Sequence, residues 1–155
     1  MGIINFQGKR TSQSETPKTQ ILVSDYMTKN VITFNEKQSI EEVIDSLIKN
    51  KISGGPVVND KNELVGIISE GDCIKQISES RYYNLPMDTN NTVSKAMVKQ
   101  VETIDGSMNI FDAANKFLDS KRRRFPIVEN GKLVGQISQK DVLKAAMTLK
   151  GNTWK

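Results

Sequence analysis

Two stretches of this chain set a hydroxyl and a carboxylate three residues apart, behind a glycine. One reads Gly66-Ile67-Ile68-Ser69-Glu70-Gly71-Asp72; the other reads Gly135-Gln136-Ile137-Ser138-Gln139-Lys140-Asp141. An apolar run leads into each Ser and a helical pattern follows, so Ser69 and Ser138 fall where a strand gives way to a helix. A helix N-terminus presents unpaired amides and the positive end of the helix dipole, which together accept phosphate. A Ser hydroxyl can bond the same phosphate, and an Asp one turn in can accept two hydroxyls of a ribose. The same pair also makes a helix cap, with Ser at the N-cap and Asp at N3, worth about 1 kcal/mol without any ligand. On either stretch alone the cap is the simpler reading.

A third feature is the run Lys121-Arg122-Arg123-Arg124. Over 155 residues there are 22 basic and 18 acidic side chains, a net charge of +4, and the run concentrates that excess. It suggests an anionic partner, although a charge run also serves as a solvated face. The chain has no His. That removes Ser-His and Cys-His nucleophile pairs and most zinc sites. Its single cysteine, Cys73, excludes an intramolecular disulfide and any Cys-cluster metal site, and reads as core. No apolar run approaches the roughly 20 residues that span a bilayer, and the first residues lack the pattern of a secretory signal. The expected setting is the cytoplasm, with no membrane contact.

The elements that position these residues occur twice. Val23-Ser24, Met27, Thr33, Ile40, Pro56 and Val58 match Val93-Ser94, Met97, Thr103, Ile110, Pro126 and Val128 at an offset of 70. Leu64-Val65-Gly66, Ile68-Ser69 and Asp72 match Leu133-Val134-Gly135, Ile137-Ser138 and Asp141 at an offset of 69. The slip falls in Asn59-Asp60-Lys61-Asn62, which reads as a turn, and turns tolerate insertion. Each copy reads as β-α-β-β-α. In the first, a strand Val31–Phe34 leads to a helix with a Ser39/Glu42 capping box and an apolar face of Ile40, Val43, Ile44, Leu47 and Ile48. In the second, Asn109 with Asp112 caps a face of Ile110, Ala113, Ala114, Phe117 and Leu118. Asn130-Gly131 between two apolar runs is a strong hairpin signal. The predicted organisation is a flexible polar tail over 1–18, a first repeat with linker over 19–84, and a second repeat with its C-terminal tail over 85–155. Thr-Ser-Gln-Ser-Glu-Thr-Pro at 11–17 typifies the tail, Tyr82, Tyr83 and Pro86 lie in the linker, and Trp154 lies near the end.

The layout resembles a tandem pair of CBS (cystathionine-β-synthase) domains, a stand-alone Bateman module, over roughly residues 20–150. The resemblance is carried by Val-Ser-Asp-Tyr-Met and Val-Ser-Lys-Ala-Met, the Thr after each first strand's apolar pair, and the capped helices. Ile52-Ser53-Gly54-Gly55-Pro56-Val57-Val58, the Leu-Val-Gly of each hairpin and the paired Ser-x-x-Asp complete it. It implies an α/β fold of two β-α-β-β-α repeats packed with pseudo-two-fold symmetry. It also implies two clefts for an adenosine nucleotide or S-adenosylmethionine, held as a regulatory ligand with no cofactor required and no metal. Asp72 and Asp141 would hold ribose, and Ser69 and Ser138 would contact phosphate. Thr33, Thr103, Ile52 and Ser53 would line the clefts. Asp141 and Ser138 are expected to face Ile52, Ser53 and the 25–33 segment; Asp72 and Ser69 are expected to face Arg122–Arg124 and the 95–103 segment. Arg123 and Arg124 stand where the family places phosphate ligands. Arg122 departs from the pattern by replacing an apolar adenine contact, yet can stack on a base. Lys140 is a further phosphate candidate, whereas Glu70 would repel phosphate.

The reading that follows is a regulatory binding module rather than an enzyme, transmitting its occupied state to a regulated protein that the sequence does not name. A homodimer is expected, through helix faces that include Val142, Ala145, Ala146 and Leu149. The alternatives are a ligand-free dimerisation scaffold, in which the Ser/Asp pairs are caps only, and nucleic-acid binding through Arg122–Arg124. The last is disfavoured, because the patch is short and lacks an aromatic platform, Phe125 reading as buried.

Overall fold

The structure, a computed structural model, describes residues 2–6, 20–82 and 91–153. The readings placed on 11–17, Tyr83, Pro86 and Trp154 lie outside these residues, as does the side chain of Tyr82. In chain order the elements are β1 (Ile3–Phe6), α1 (Val23–Tyr26), β2 (Phe34–Asn35), α2 (Ile40–Asn50), β3 (Gly54–Val58), β4 (Leu64–Ser69) and α3 (Glu70–Tyr82). Then follow α4 (Val93–Ala96), β5 (Val101–Ile104), α5 (Ile110–Ser120), β6 (Arg124–Glu129), β7 (Lys132–Ser138) and α6 (Gln139–Thr153). The β-α-β-β-α order is present twice. The first strand of the first copy is shorter than the sequence suggests, because only Phe34 and Asn35 pair with β3.

The helices start and stop as their end residues dictate. Ser39 and Glu42 form the expected capping box, with Glu42 N–H donating to Ser39 Oγ at 3.2 Å and Ser39 N–H donating to Glu42 Oε1 at 3.3 Å. Asn109 differs: its side-chain oxygen accepts from Phe111 N–H at 2.7 Å, one residue earlier than a box with Asp112 requires. Both α2 and α5 end on a lysine, Lys51 and Lys121, in the left-handed conformation. The two hairpins explain the slipped offset. Glu129 pairs with Lys132 across Asn130 and Gly131, both at positive φ, a two-residue turn. In the first copy Asn59 N–H donates to Glu63 O around three residues ending in Asn62 at positive φ, which makes the loop one residue longer.

The chain divides into two compact units, and neither is a contiguous repeat. One comprises Met1–Ile3 and Ile32–Val101; the other comprises Ile4–Val31 and Glu102–Lys155. In the first unit, the sheet β2-β3-β4 and helices α2 and α3 enclose Phe34, Ile40, Val43, Leu47, Val57, Ile68 and Cys73, together with Val93 from α4. In the second, Ile104, Ile110, Ala113, Phe117, Phe125, Ile127, Ile137 and Ala145 are joined by Val23 from α1. Each unit therefore takes its short helix from the segment that precedes the other copy. The docking contacts are alike. Val23 and Ser24 N–H donate to Met108 and Gly106 carbonyls, while Val93 and Ser94 N–H donate to Gln38 and Glu36 carbonyls. Just after each short helix, Thr28 exchanges two backbone hydrogen bonds with Gln136, and Val98 does so with Ile67.

Two expectations change here. Residues 3–6 are not tail: they form β1, beside β5 in the four-stranded sheet β1-β5-β6-β7. Phe6 packs against the second core, Lys116 Nζ stands 3.2 Å from the centre of its ring, and Thr103 Oγ1 donates to Asn5 Oδ1 at 2.7 Å. Phe6 and the backbone bonds from Val101 and Asp105 N–H to Gly2 and Phe6 carbonyls dock this edge strand, while Ile3 and Ile4 stay exposed. The helix face assigned to dimer contact also changes. Ala145 is fully buried and Val142 packs on the same core, so that stripe faces inward. The exposed large apolar residues on the described helices are its neighbours Leu143 and Met147, with Phe111 and Leu118 on α5 and Ile48, Ile74 and Ile77 in the first unit.

Removing residues 1–6 is expected to cost about 2 kcal/mol, from lost Phe6 burial and the opened β5 edge. For a chain of this length that lowers the melting midpoint by about 4–8 °C in calorimetry. A disordered tail would give no change.

Candidate functional site

Sheet register sets the surroundings of each Ser/Asp pair. In the second unit the last residue of β7, Ser138, lies opposite Arg124 at the start of β6. Gln139 N–H donates to Arg123 O at 3.2 Å, and Gln139 Nε2 donates to Arg122 O at 3.3 Å, tying the basic run to the first turn of α6. In the first unit Ser69 lies opposite Gly54, and Glu70 N–H donates to Ser53 O at 2.9 Å. The two junctions are thus built alike, and the residues at 52–54 and 122–124 stand at equivalent places.

Each junction is capped from within. Ser138 N–H and Oγ donate to Asp141 Oδ2 at 2.8 and 3.0 Å, and Asp141 N–H donates back to Ser138 Oγ at 3.3 Å. Ser69 N–H and Oγ donate to Asp72 Oδ2 at 2.9 and 3.0 Å. These bonds fix the carboxylates at the helix N-termini, and those that a carboxylate accepts all fall on Oδ2. Asp141 is only 8% exposed, while Asp72 is half-buried. Next to Asp72, Cys73 is buried in the first core; burial, then the charges of Asp72 and Glu70, push its thiol pKa up and keep it neutral.

The structure sorts the expected site residues by unit. Ser138, Asp141, Lys140, Arg122, Arg123 and Arg124 share the second unit, as does Thr28, which bridges to Gln136 two residues before Ser138. Ser69, Asp72, Ile52, Ser53 and the exposed Thr33 share the first. Within the second unit, hairpin pairing sets the Arg run at the junction that carries Ser138 and Asp141. Two expected ligand contacts are already engaged. Thr103 is fully buried with its hydroxyl on β1, and Arg122 Nε forms an ion pair with Glu102 Oε1 at 2.7 Å. Ile52 leans on the first core. Sequence reasoning missed the positioning role of Gln139; the equivalent Glu70, with the same backbone bond to the segment before its strand, is the signal that the repeat offered. No cluster of metal-ligating side chains occurs among the described residues, and none of their helices is long and apolar enough to cross a membrane.

With this geometry, a tandem pair of β-α-β-β-α repeats with two matched, capped strand-to-helix junctions is the class that the fold defines. The chain belongs to the CBS domain family: the family's model matches residues 23–79 and 93–148, one match per repeat. It is 30% identical over 132 residues to the uncharacterised protein MJ1225 of Methanocaldococcus jannaschii, covering 85% of this chain and 44% of that protein. It is also 30% identical over 156 residues to the chloroplastic CBS domain-containing protein CBSX2 of Arabidopsis thaliana, covering 84% of this chain and 66% of that one. The chain therefore spans less than two thirds of either relative. Among solved structures it is similar to CBSX2 in complex with AMP, with a TM-score of 0.73 and 29% identity over 83% of this chain and 98% of that one. It is similar also to the CBS domain pair of protein MJ0100 in complex with 5′-methylthioadenosine and S-adenosyl-L-methionine, with a TM-score of 0.69 and 26% identity over 85% and 100% of the two chains.

The capping role is open to a direct check. Ser138→Ala and Ser69→Ala are each expected to lower the unfolding free energy of ligand-free protein by about 1 kcal/mol in urea titrations. A change within error at both positions would show that the hydroxyls contribute nothing to the caps.

Proposed function

We propose that this chain is a regulatory module that binds adenosine nucleotides or S-adenosylmethionine at its two Ser-x-x-Asp junctions. The observation that carries the reading is the duplicated junction itself: a Ser/Asp pair at the N-terminus of a long helix, twice, with the Ser N–H and Oγ donating to the Asp Oδ2 in each. The ligands held by CBSX2 and by the MJ0100 pair support it, since both carry an adenosine with the ribose hydroxyls that such an Asp can accept. Asp141 and Asp72 take ribose; Ser138 and Ser69 take the group beyond it. Arg123, Arg124 and Lys140 supply phosphate contacts, Arg through its planar fork. Thr33, Ile52 and Ser53 complete the lining. Thr103 and Arg122 are occupied within the chain, and the reading does not depend on them. Regulation follows if the ligand binds one conformation better than another, and its effect is limited to that difference.

The module acts as a homodimer in the cytoplasm on a separate regulated protein. The dimer is supported by equivalent apolar patches on both units: Ile48 and Ile74 on α2 and α3, Leu118 and Leu143 on α5 and α6, at 71%, 63%, 77% and 66% exposure. Patches of this kind mark interaction surfaces.

Thermal unfolding with and without nucleotide tests the reading. AMP at 100 times its dissociation constant is expected to stabilise the chain by about 2.7 kcal/mol. Asp141→Ala removes part of that gain and Asp141→Asn, which keeps an acceptor at N3, restores the cap without restoring the ribose contact. No shift from AMP, ADP, ATP or S-adenosylmethionine at millimolar concentration would leave the junctions as helix caps only.

A further inference from the structure

The helix pairs of the two units expose matched faces that differ in shape and charge. An apolar cavity of about 290 Å³ opens between α2 and α3, lined by Ile44, Leu47, Ile48, Cys73, Ile74 and Ile77, with Glu70 also at its wall. Asp45 and Glu41 lie three and seven residues before Ile48, on the same side of α2, and both are exposed. In the second unit the places of Glu41, Asp45 and Glu70 hold Phe111, Asn115 and Gln139, so those three acids have no counterpart there. Phe117 stands where the first unit has Leu47, and its ring packs on Phe125 with centroids 4.9 Å apart, filling that place. Phe111 and Leu118 on α5, and Leu143 and Met147 on α6, stand out into solvent. Helices α2 and α3 together carry six acidic and three basic residues, whereas α5 and α6 carry three and four. One face is thus hollow and acidic; the other is filled, studded with apolar side chains and slightly basic.

We infer that two copies of this chain associate through unlike faces: the α2–α3 face of one copy receives the α5–α6 face of another. The inference rests on the homodimer reading above and adds which faces meet. Two α2–α3 faces laid together would set Glu41, Asp45 and Glu70 against their own equivalents, and like charges across an interface oppose association. Two α5–α6 faces would press projecting side chains on one another and leave the cavity between α2 and α3 unfilled, forfeiting the packing contacts of its walls. The unlike pair avoids both costs. Exposed side chains such as Phe111 or Leu143 enter the cavity, and packing at the centre of a stable interface needs such a fit. Lys144, exposed and three residues before Met147, then lies toward the acidic rim of Glu41 and Asp45 rather than toward its own copy in the partner. Each such contact joins one unit of one copy to one unit of the other.

The test is native mass spectrometry of two variants of the full chain, one of them isotope-labelled. Ile74→Asp puts a charge on the first face, and Leu143→Asp puts one on the second. Both positions are exposed, so neither substitution empties a core. Each variant alone is expected to be monomeric at a concentration where the wild type is dimeric, its self-association weakened by about thirtyfold. Mixed in equal amounts, they are expected to form a dimer of one labelled and one unlabelled chain. The intact first face of Leu143→Asp then meets the intact second face of Ile74→Asp. A dimer formed by one variant alone, with the other monomeric, would show that like faces meet and would overturn the inference. Two variants that both dimerise alone, or two monomers that fail to combine, would overturn it as well. All three outcomes leave the homodimer reading in place, whereas a monomeric wild type would overturn that reading itself.

Discussion

The close approach of a short helix to a hairpin glycine is the contact on which each unit depends. A Cβ on Gly135 would stand 2.8 Å from both Met27 Sδ and Thr28 O; one on Gly66 would stand 2.7 Å from Met97 Sδ and 2.9 Å from Val98 O. Only a hydrogen fits. Because it fits, Thr28 and Val98 can reach Gln136 and Ile67 with two short backbone bonds each, and Val23 and Val93 can complete the two cores. The exchange of segments between the copies follows from these contacts.

The same hairpins carry the candidate sites. Once β7 is paired with β6, Ser138 ends opposite Arg124, and the next residue starts a helix whose Asp141 amide donates to Ser138 Oγ. The segment after Met27 runs along the outer side of β7 at Gln136, two residues before Ser138. Thus a single hairpin edge brings together a helix N-terminus, a basic run and a segment from the other end of the chain. In the first unit an identical edge carries Gly54, Ser53 and Glu70 instead, so backbone and charge vary independently. Duplication preserved the frame, whereas the side chains at the frame's edge diverged.

Much of this was legible in the residues. The offset change from 70 to 69 corresponds to one extra turn residue, the Ser39/Glu42 box is present, and both Ser-x-x-Asp pairs lie at strand-to-helix junctions. What was not legible is which copy each matching residue serves. Met27 and Met97 match, as do Gly66 and Gly135, and a repeat alone does not reveal that Met27 covers Gly135 rather than Gly66. The strand at Ile3–Phe6 was hidden because edge strands need few apolar residues when hydrogen bonds to a neighbour do the ordering. The faces of α2 and α5 were drawn one position too wide: Ile48 and Leu118 sit at the rim of the apolar stripe and point to solvent.

The exchange of segments is the central structural claim, and amide hydrogen exchange on a Gly135→Ala protein tests it most directly. The added methyl must push Met27 and Thr28 away from β7. The account predicts that Ser24 and Thr28 lose protection together with Gln136, and lose more than Ser94 and Val98, whose partners are Glu36 and Ile67. Equal loss at the two sets of amides, or loss confined to Ser94 and Val98, would contradict it.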